Sequence, residues 1–121
     1  MKKLFSILAF ALMASAIFAK PVDLEKAQSV ATNFWAQNVE VSPNFQVVNS
    51  TPEGFFEHIF LFTAEDQDGF ILVSADDRAI PILGYSFDNN FRSKNIPSNV
   101  NFWLQDYENQ IKFLIDNNIE P

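Results

Sequence analysis

The chain has 121 residues, 15 acidic against 8 basic, a formal charge of −7 and no cysteine. A thiol nucleophile, a disulfide framework and a cysteine-based zinc site are therefore excluded. The basic residues are scattered (Lys20, Lys26, Arg78, Arg92, Lys94 and Lys112 beyond the first few positions) and leave no basic footprint for nucleic acid or an anionic membrane.

Residues 1–19 read as a secretory signal peptide. Lys2 and Lys3 precede an uncharged, mostly apolar run from Leu4 to Phe18. That run is shorter than the roughly 20 apolar residues a spanning helix needs. Cleavage is expected after Ala19, with Ala16 as the alternative, and no cysteine is present to carry a thioether lipid anchor. The product is expected to be exported, periplasmic or extracellular, with no membrane attachment once the leader is gone. Residues 20–121 form one domain of about 100 residues, and its core must come from hydrophobic burial alone. Loss of Lys2 and Lys3 brings the charge to about −9, which suits solubility or attraction to a basic protein surface.

Residues 23–38 are expected to be a helix. Asp23 can cap it, Glu25 lies near its positive end, and Leu24, Ala27, Val30, Ala31 and Phe34 recur at helical spacing. Ser42-Pro43-Asn44 breaks the pattern. Four β-prone runs follow, at residues 45–49, 55–64, 70–75 and 80–86. They are separated by the turn at 50–54, by the hairpin signal Asp68-Gly69, and by Asp76-Asp77-Arg78. Pro81 places the start of the fourth run at an edge or bulge. After a polar loop at 88–95, Pro97 opens a second helix to about Asn117, with an apolar face of Val100, Trp103, Leu104, Tyr107, Ile111, Leu114 and Ile115. Strands clustered between helices give an α+β fold: N-terminal helix, four-stranded antiparallel meander, C-terminal helix packed on the sheet. One sheet face is expected to carry one or both helices, and most of the 14 phenylalanines are expected to fill the core.

Catalytic signals are weak. His58, the single histidine, lies in the second β-run with no nucleophile motif around the serines, and reads as an ordinary strand residue. Asp66-x-Asp68-Gly69 lacks the distal ligands of a calcium loop and reads as a turn. Asn49-Ser50-Thr51 matches a glycosylation sequon, a short and unspecific match. Asp76 and Asp77 are adjacent, so on a strand they would face opposite ways, which is unsuited to a carboxylate pair. The simpler assignment is a corner in which an Asp accepts backbone hydrogen bonds and Arg78 balances the charge. No metal or cofactor site is visible, and the chain does not read as an enzyme.

The string GFILVSADDRAIPILGYS at residues 69–86, with NIPSNVNFWLQDYENQI after the polar loop, resembles the propeptide domain of streptopain-type cysteine peptidases. That domain also occurs as free-standing Spi-type protease inhibitors. The resemblance spans residues 20–121 and is most specific at 69–86 together with Trp103-Leu104, Tyr107 and Gln110-Ile111. It implies a twisted antiparallel sheet with flanking helices, docked on the peptidase and keeping it inactive. It further implies that an asparagine, carried on a loop before the last helix, displaces the catalytic histidine. Matching the Tyr107 and Gln110-Ile111 pattern puts Asn99 at that position, although capping or first-turn solvation explains an asparagine there equally well. The inhibitory segment is then residues 95–101, with Ile96, Pro97 and Ser98 beside Asn99. Phe91, Ile96, Phe102 and Trp103 are candidate anchors, Trp103 being favoured as core. Asp76, Asp77, Arg78, Gly84, Tyr85 and Tyr107 belong to the structural part of the motif. With no catalytic cysteine and no catalytic domain before Pro121, the chain resembles the inhibitory half alone, a monomer when free, with a streptopain-type cysteine peptidase as partner. A detached propeptide assisting a separately encoded peptidase to fold, or an exported binding module without inhibitory activity, are the alternatives.

Overall fold

The computed structural model describes residues 21–92 and 96–120; the expected leader, its cleavage site and Asn95 lie outside them. The elements run α1 (Leu24–Asn38), β1 (Val47–Asn49), β2 (Ile59–Ala64), β3 (Phe70–Ser74), β4 (Ile82–Ser86) and α2 (Ser98–Asp116). The strands pair in sequence order and each pair is antiparallel, so the α+β meander is confirmed.

The two helices do not share a face of the sheet. Ala27, Ala31 and Trp35 of α1 pack on Val47, Phe62, Ile71 and Val73, whereas Leu104 and Ile111 of α2 pack on Ile59, Leu61, Leu72 and Leu83. The expectation of one covered face is thus corrected to an α/β/α arrangement. Its physical reason is the period of two along a strand, which sends Leu61 and Phe62, or Leu72 and Val73, to opposite sides. Both sides are apolar in β2 and β3, so both need a cover.

α1 begins where Asp23 accepts the Lys26 backbone N–H at 2.8 Å. Small alanines at Ala27 and Ala31 let this helix approach the sheet closely, and Trp35 fills the space beyond them against Phe45 and Phe87. At the β2–β3 hairpin, Gly69 has φ +125°, and a Cβ there would lie 2.7 Å from the Ser86 carbonyl oxygen and 2.8 Å from the Trp35 ring. Only glycine satisfies both the conformation and the space.

β4 begins at Ile82 rather than Ile80. Pro81 has no N–H for the ladder, and its carbonyl instead accepts the Ser74 N–H at 2.9 Å while Ser74 Oγ donates to the Ile80 carbonyl at 2.8 Å. The β3–β4 register then shifts: Val73 pairs with Ile82 and Leu72 with Gly84, leaving Leu83 extra. This bulge puts Leu83 and Gly84 together on the α2 side. β2 likewise starts late, because Phe55 and Phe56 sit in turns closed by Phe55 N–H to Pro52 and Ile59 N–H to Phe56. β1 is shorter than expected as well, Phe45 packing on Trp35 instead of pairing.

α2 is held by a charged residue. Glu108 is 3% exposed and lies between Leu104 and Ile111 on the buried face. Its Oε1 accepts the His58 backbone N–H at 2.7 Å, and its Oε2 meets His58 Nδ1 at 2.5 Å. His58 is therefore not a plain strand residue: it stands in the turn before β2 and anchors the opposite layer. Removing the Glu108 side chain leaves the His58 backbone N–H and ring without their partner, and a part-buried donor left unsatisfied costs more than an exposed contact contributes.

Two stability predictions result. Gly69→Ala should lose about 2 kcal/mol in urea unfolding, with the slope of the transition unchanged. Glu108→Ala should lose roughly 3 kcal/mol, and Glu108→Gln about 1–2 kcal/mol because its amide oxygen still accepts the His58 N–H. Equal losses in the two Glu108 variants would mean that the carboxylate charge, not the backbone hydrogen bond, holds the helix.

Candidate functional site

The N-terminal end of α2 brings together most of the residues singled out for an inhibitory segment. Pro97 occupies the N-cap with φ −55° and ψ 144°, and no side chain caps the helix. The Pro97 carbonyl accepts the Asn101 N–H at 2.9 Å, so the helix is fully wound from its first turn. Asn99 is its second residue. The capping role for Asn99 is therefore excluded, and Asn99 is helical rather than carried on an irregular loop. Its side chain is exposed and makes no hydrogen bond to any described residue. Ser98 and Pro97 are exposed beside it, and Ile96 is half-buried.

Phe91 is placed differently. Its ring stands edge-on to Phe70 at 5.3 Å and to Phe55 at 6.2 Å between centroids. It packs beneath α2 as a half-buried ring and lines the groove described below. Trp103, favoured as core, is 38% exposed. One edge of its indole lies on Gly84, where an added Cβ would come within 2.6 Å of the ring, and Tyr107 stacks edge-on to it at 4.9 Å. The missing side chain of Gly84 makes the seat, and the helical position of Trp103 at the margin of the buried stripe keeps its outer face in solvent. A groove of about 450 Å³ opens beside this contact, walled by Leu72, Gly84, Ile96, Pro97 and Trp103.

The Asp76-Asp77-Arg78 corner is a separate structure. Asp76 is 1% exposed and accepts the Arg78 backbone N–H at 2.9 Å and Arg78 Nη1 at 3.2 and 3.0 Å. Asp77 is exposed. Pro21 bridges to Asp76, and Val22 N–H donates to the Ala75 carbonyl at 2.8 Å. The corner thus ties the residues preceding α1 to the end of β3. Tyr85 points to the α1 side, its ring edge-on to Phe34 at 4.9 Å, away from the groove's Trp103 wall. The structural residues of the motif are spread along the frame and do not converge on one centre.

Catalytic geometry is missing among the described residues. His58 has a carboxylate partner, as a general base would, but no serine or threonine hydroxyl is hydrogen-bonded to it. No group of three His, Asp or Glu among the described residues could hold a metal ion. The Asp66–Gly69 turn is closed by Asn90, which donates to Asp68 Oδ1 at 3.0 Å and accepts the Gly69 N–H at 3.1 Å. In the sequon, Asn49 Oδ1 accepts from the Thr51 N–H and hydroxyl at 3.1 and 2.6 Å, a local turn contact.

Glu108 and Phe113 are the residues that sequence reasoning passed over. The i, i+4, i+7 spacing of Leu104, Glu108 and Ile111 places a carboxylate on the apolar face, and that spacing was the available signal for a buried partner. Phe102 falls outside the apolar stripe and is 76% exposed, as is Phe113 at 58%.

Comparison with known proteins gives the chain's family. No solved structure matches the chain. It is similar to the thiol protease/hemagglutinin PrtT of Porphyromonas gingivalis, with 32% identity over 128 aligned positions, covering 100% of this chain and 15% of that protein. The chain therefore spans only a small part of that relative's length. A family model described as Spi protease inhibitor matches residues 19–111, and on that match the chain belongs to the Spi protease inhibitor family.

Proposed function

We propose that this chain is an exported inhibitor of a streptopain-type cysteine peptidase, acting by non-covalent occlusion of the active site. The observation that carries the reading is Asn99: an exposed amide side chain, uncommitted to the fold, in the first turn of a helix whose N-terminus has no side-chain cap. Such a helix end offers several backbone N–H groups and the positive end of its dipole. Placed at a peptidase centre, the Asn99 amide competes for the hydrogen bonds that hold the catalytic histidine. Displacing that histidine removes the base that maintains the thiolate, and the nucleophile is lost. No covalent step is involved, so the complex is reversible. Ile96, Pro97 and Ser98 flank the contact, and the groove beside Trp103 gives the enzyme an apolar recess to fill.

Export rests on the basic and apolar pattern of residues 1–19, and the domain reading on residues 20–121 behaving as one unit. The partner class rests on family membership and on the likeness to a protein named as a thiol protease. That same likeness favours a second reading. A domain that matches part of a protease can act as a detached propeptide that helps a separately encoded enzyme fold. A non-inhibitory binding module is the reading left if neither activity is found.

The test uses a purified streptopain-type peptidase from the source organism, titrated with the exported protein and with Asn99→Ala. Stoichiometric inhibition is expected, weakened about 10–100-fold by the substitution. Equal inhibition by both forms keeps the inhibitor and moves the contact off Asn99. Loss of inhibition altogether, with a higher refolding yield of the denatured peptidase in the presence of this chain, establishes the folding assistant instead.

A further inference from the structure

We infer that the whole outer face of α2, and not its first turn alone, is the docking surface, and that it takes an apolar groove on the peptidase with a basic side chain set into it. This deepens the inhibitor reading and rests on it. Leu104, Glu108 and Ile111 fix which side of α2 is buried. On the opposite side, helical periodicity lines up Asn99, Phe102, Asp106 and Phe113. Phe102 is 76% and Phe113 is 58% exposed. They stand about three turns and about 16 Å apart along the axis.

Other residues exposed on this side of the helix are polar, among them Ser98, Gln105, Asn109 and Asp116. Nothing in the packing of the fold uses the two phenyl rings: neither has a ring partner among the described residues, unlike Trp103 with Tyr107 or Phe91 with Phe70. Each aromatic side chain carries roughly 150–250 Å² of surface. Both therefore expose large apolar areas on an otherwise hydrophilic face, in register with Asn99.

Charge decides between the possible occupants. Asp106 lies between the two rings, held by a 3.0 Å hydrogen bond from Gln110 to its Oδ2, and Asp116 lies just beyond Phe113. Two copies of this chain meeting face to face would bring these carboxylates together, on molecules each carrying about −9 once Lys2 and Lys3 are gone. A partner with a basic group opposite Asp106 removes that repulsion and gives the pair a favourable contact at the centre of the interface. The stripe then supplies two aromatic anchors about 16 Å apart, which is the scale on which an interface of roughly 1,200–2,000 Å² is held.

The experiment compares the exported protein (residues 20–121), the double variant Phe102→Ser/Phe113→Ser, and Asp106→Lys as inhibitors of the same peptidase, with thermal unfolding of each as the folding control. The double variant should inhibit about 100-fold more weakly while its Tm stays at or above the parent value. Asp106→Lys should weaken inhibition about 10-fold at low salt and flatten its salt dependence. If the parent inhibits and the double variant inhibits equally well, the docking face is wrong and the inhibitor reading stands. If the parent does not inhibit at all, the reading and this inference fall together. Sedimentation of the free protein gives the remaining outcome: a dimer that the double variant dissolves would show the face covered by a second copy, and would overturn the assignment to a peptidase.

Discussion

The buried carboxylate of Glu108 sets the rotational phase of α2, and the exposed surface of the domain depends on that phase. A helix packed only by Leu104 and Ile111 could roll on an apolar sheet with modest loss, because dispersion and burial are not directional. Two hydrogen bonds to His58, one of them to the backbone, remove that freedom. A roll by one residue turns the helix by about 100°, which would draw Glu108 out and set Tyr107 or Asn109 in its place. The contact is thus less a source of net stability than of specificity, since buried polar contacts often contribute little against an apolar alternative. What it secures is that Asn99, Phe102 and Phe113 all stay outside.

A second constraint positions the start of the same helix. The bulge at Leu83 turns Gly84 toward α2, and the bare backbone there receives the Trp103 ring. Trp103 in turn stacks on Tyr107 one turn along. The second turn of α2 is therefore seated by β4, through Trp103, and its middle by the turn before β2, through Glu108. Contacts with two different elements fix the helix on the sheet, so the exposed Asn99 side chain is presented by an ordered scaffold, which lowers the ordering cost of any contact made there. The residues of the Asp76 corner contribute elsewhere, at the opposite end of the strand, by pinning the segment around Pro21 and Val22.

Much of this was legible from the sequence, for reasons that can be located. The Asp23 cap, the four β-runs and the Pro97 start are each local signals, and local hydrogen-bonding or dihedral preference decides them. The placement of helices on both faces was also encoded, in consecutive apolar residues such as Ile59-Phe60-Leu61-Phe62 that leave a strand no polar side. It was overlooked because an antiparallel meander is more often covered on one side. The starts of β2 and β4 were misplaced because Phe55, Phe56 and Ile80 are apolar without being paired, a distinction that depends on turns and on Pro81. Glu108 and His58 are 50 positions apart, and no local rule links them. Trp103 was counted in the apolar face of the helix and favoured as core, whereas its position at the margin of that face leaves it 38% exposed.

If Asn99 is the inhibitory contact proposed above, its helical state bears on how the inhibitor avoids being a substrate. Peptidases bind the backbone to be cut in an extended form, with its N–H and carbonyl groups free to pair along the cleft. In the first turn of α2 the Pro97 carbonyl is already bonded to the Asn101 N–H, and the dihedral angles are far from extended. Cleavage there would require the turn to unwind, and first turns open most readily by fraying. Pro97 limits that fraying, because its fixed φ suits the entry to the helix and lowers the entropy gained on release. A wound first turn with an exposed amide therefore separates two properties that an extended loop would combine, affinity for the active site and susceptibility to it. In the proposed complex, a contact held close to the helix would persist longer before the chain could be cut.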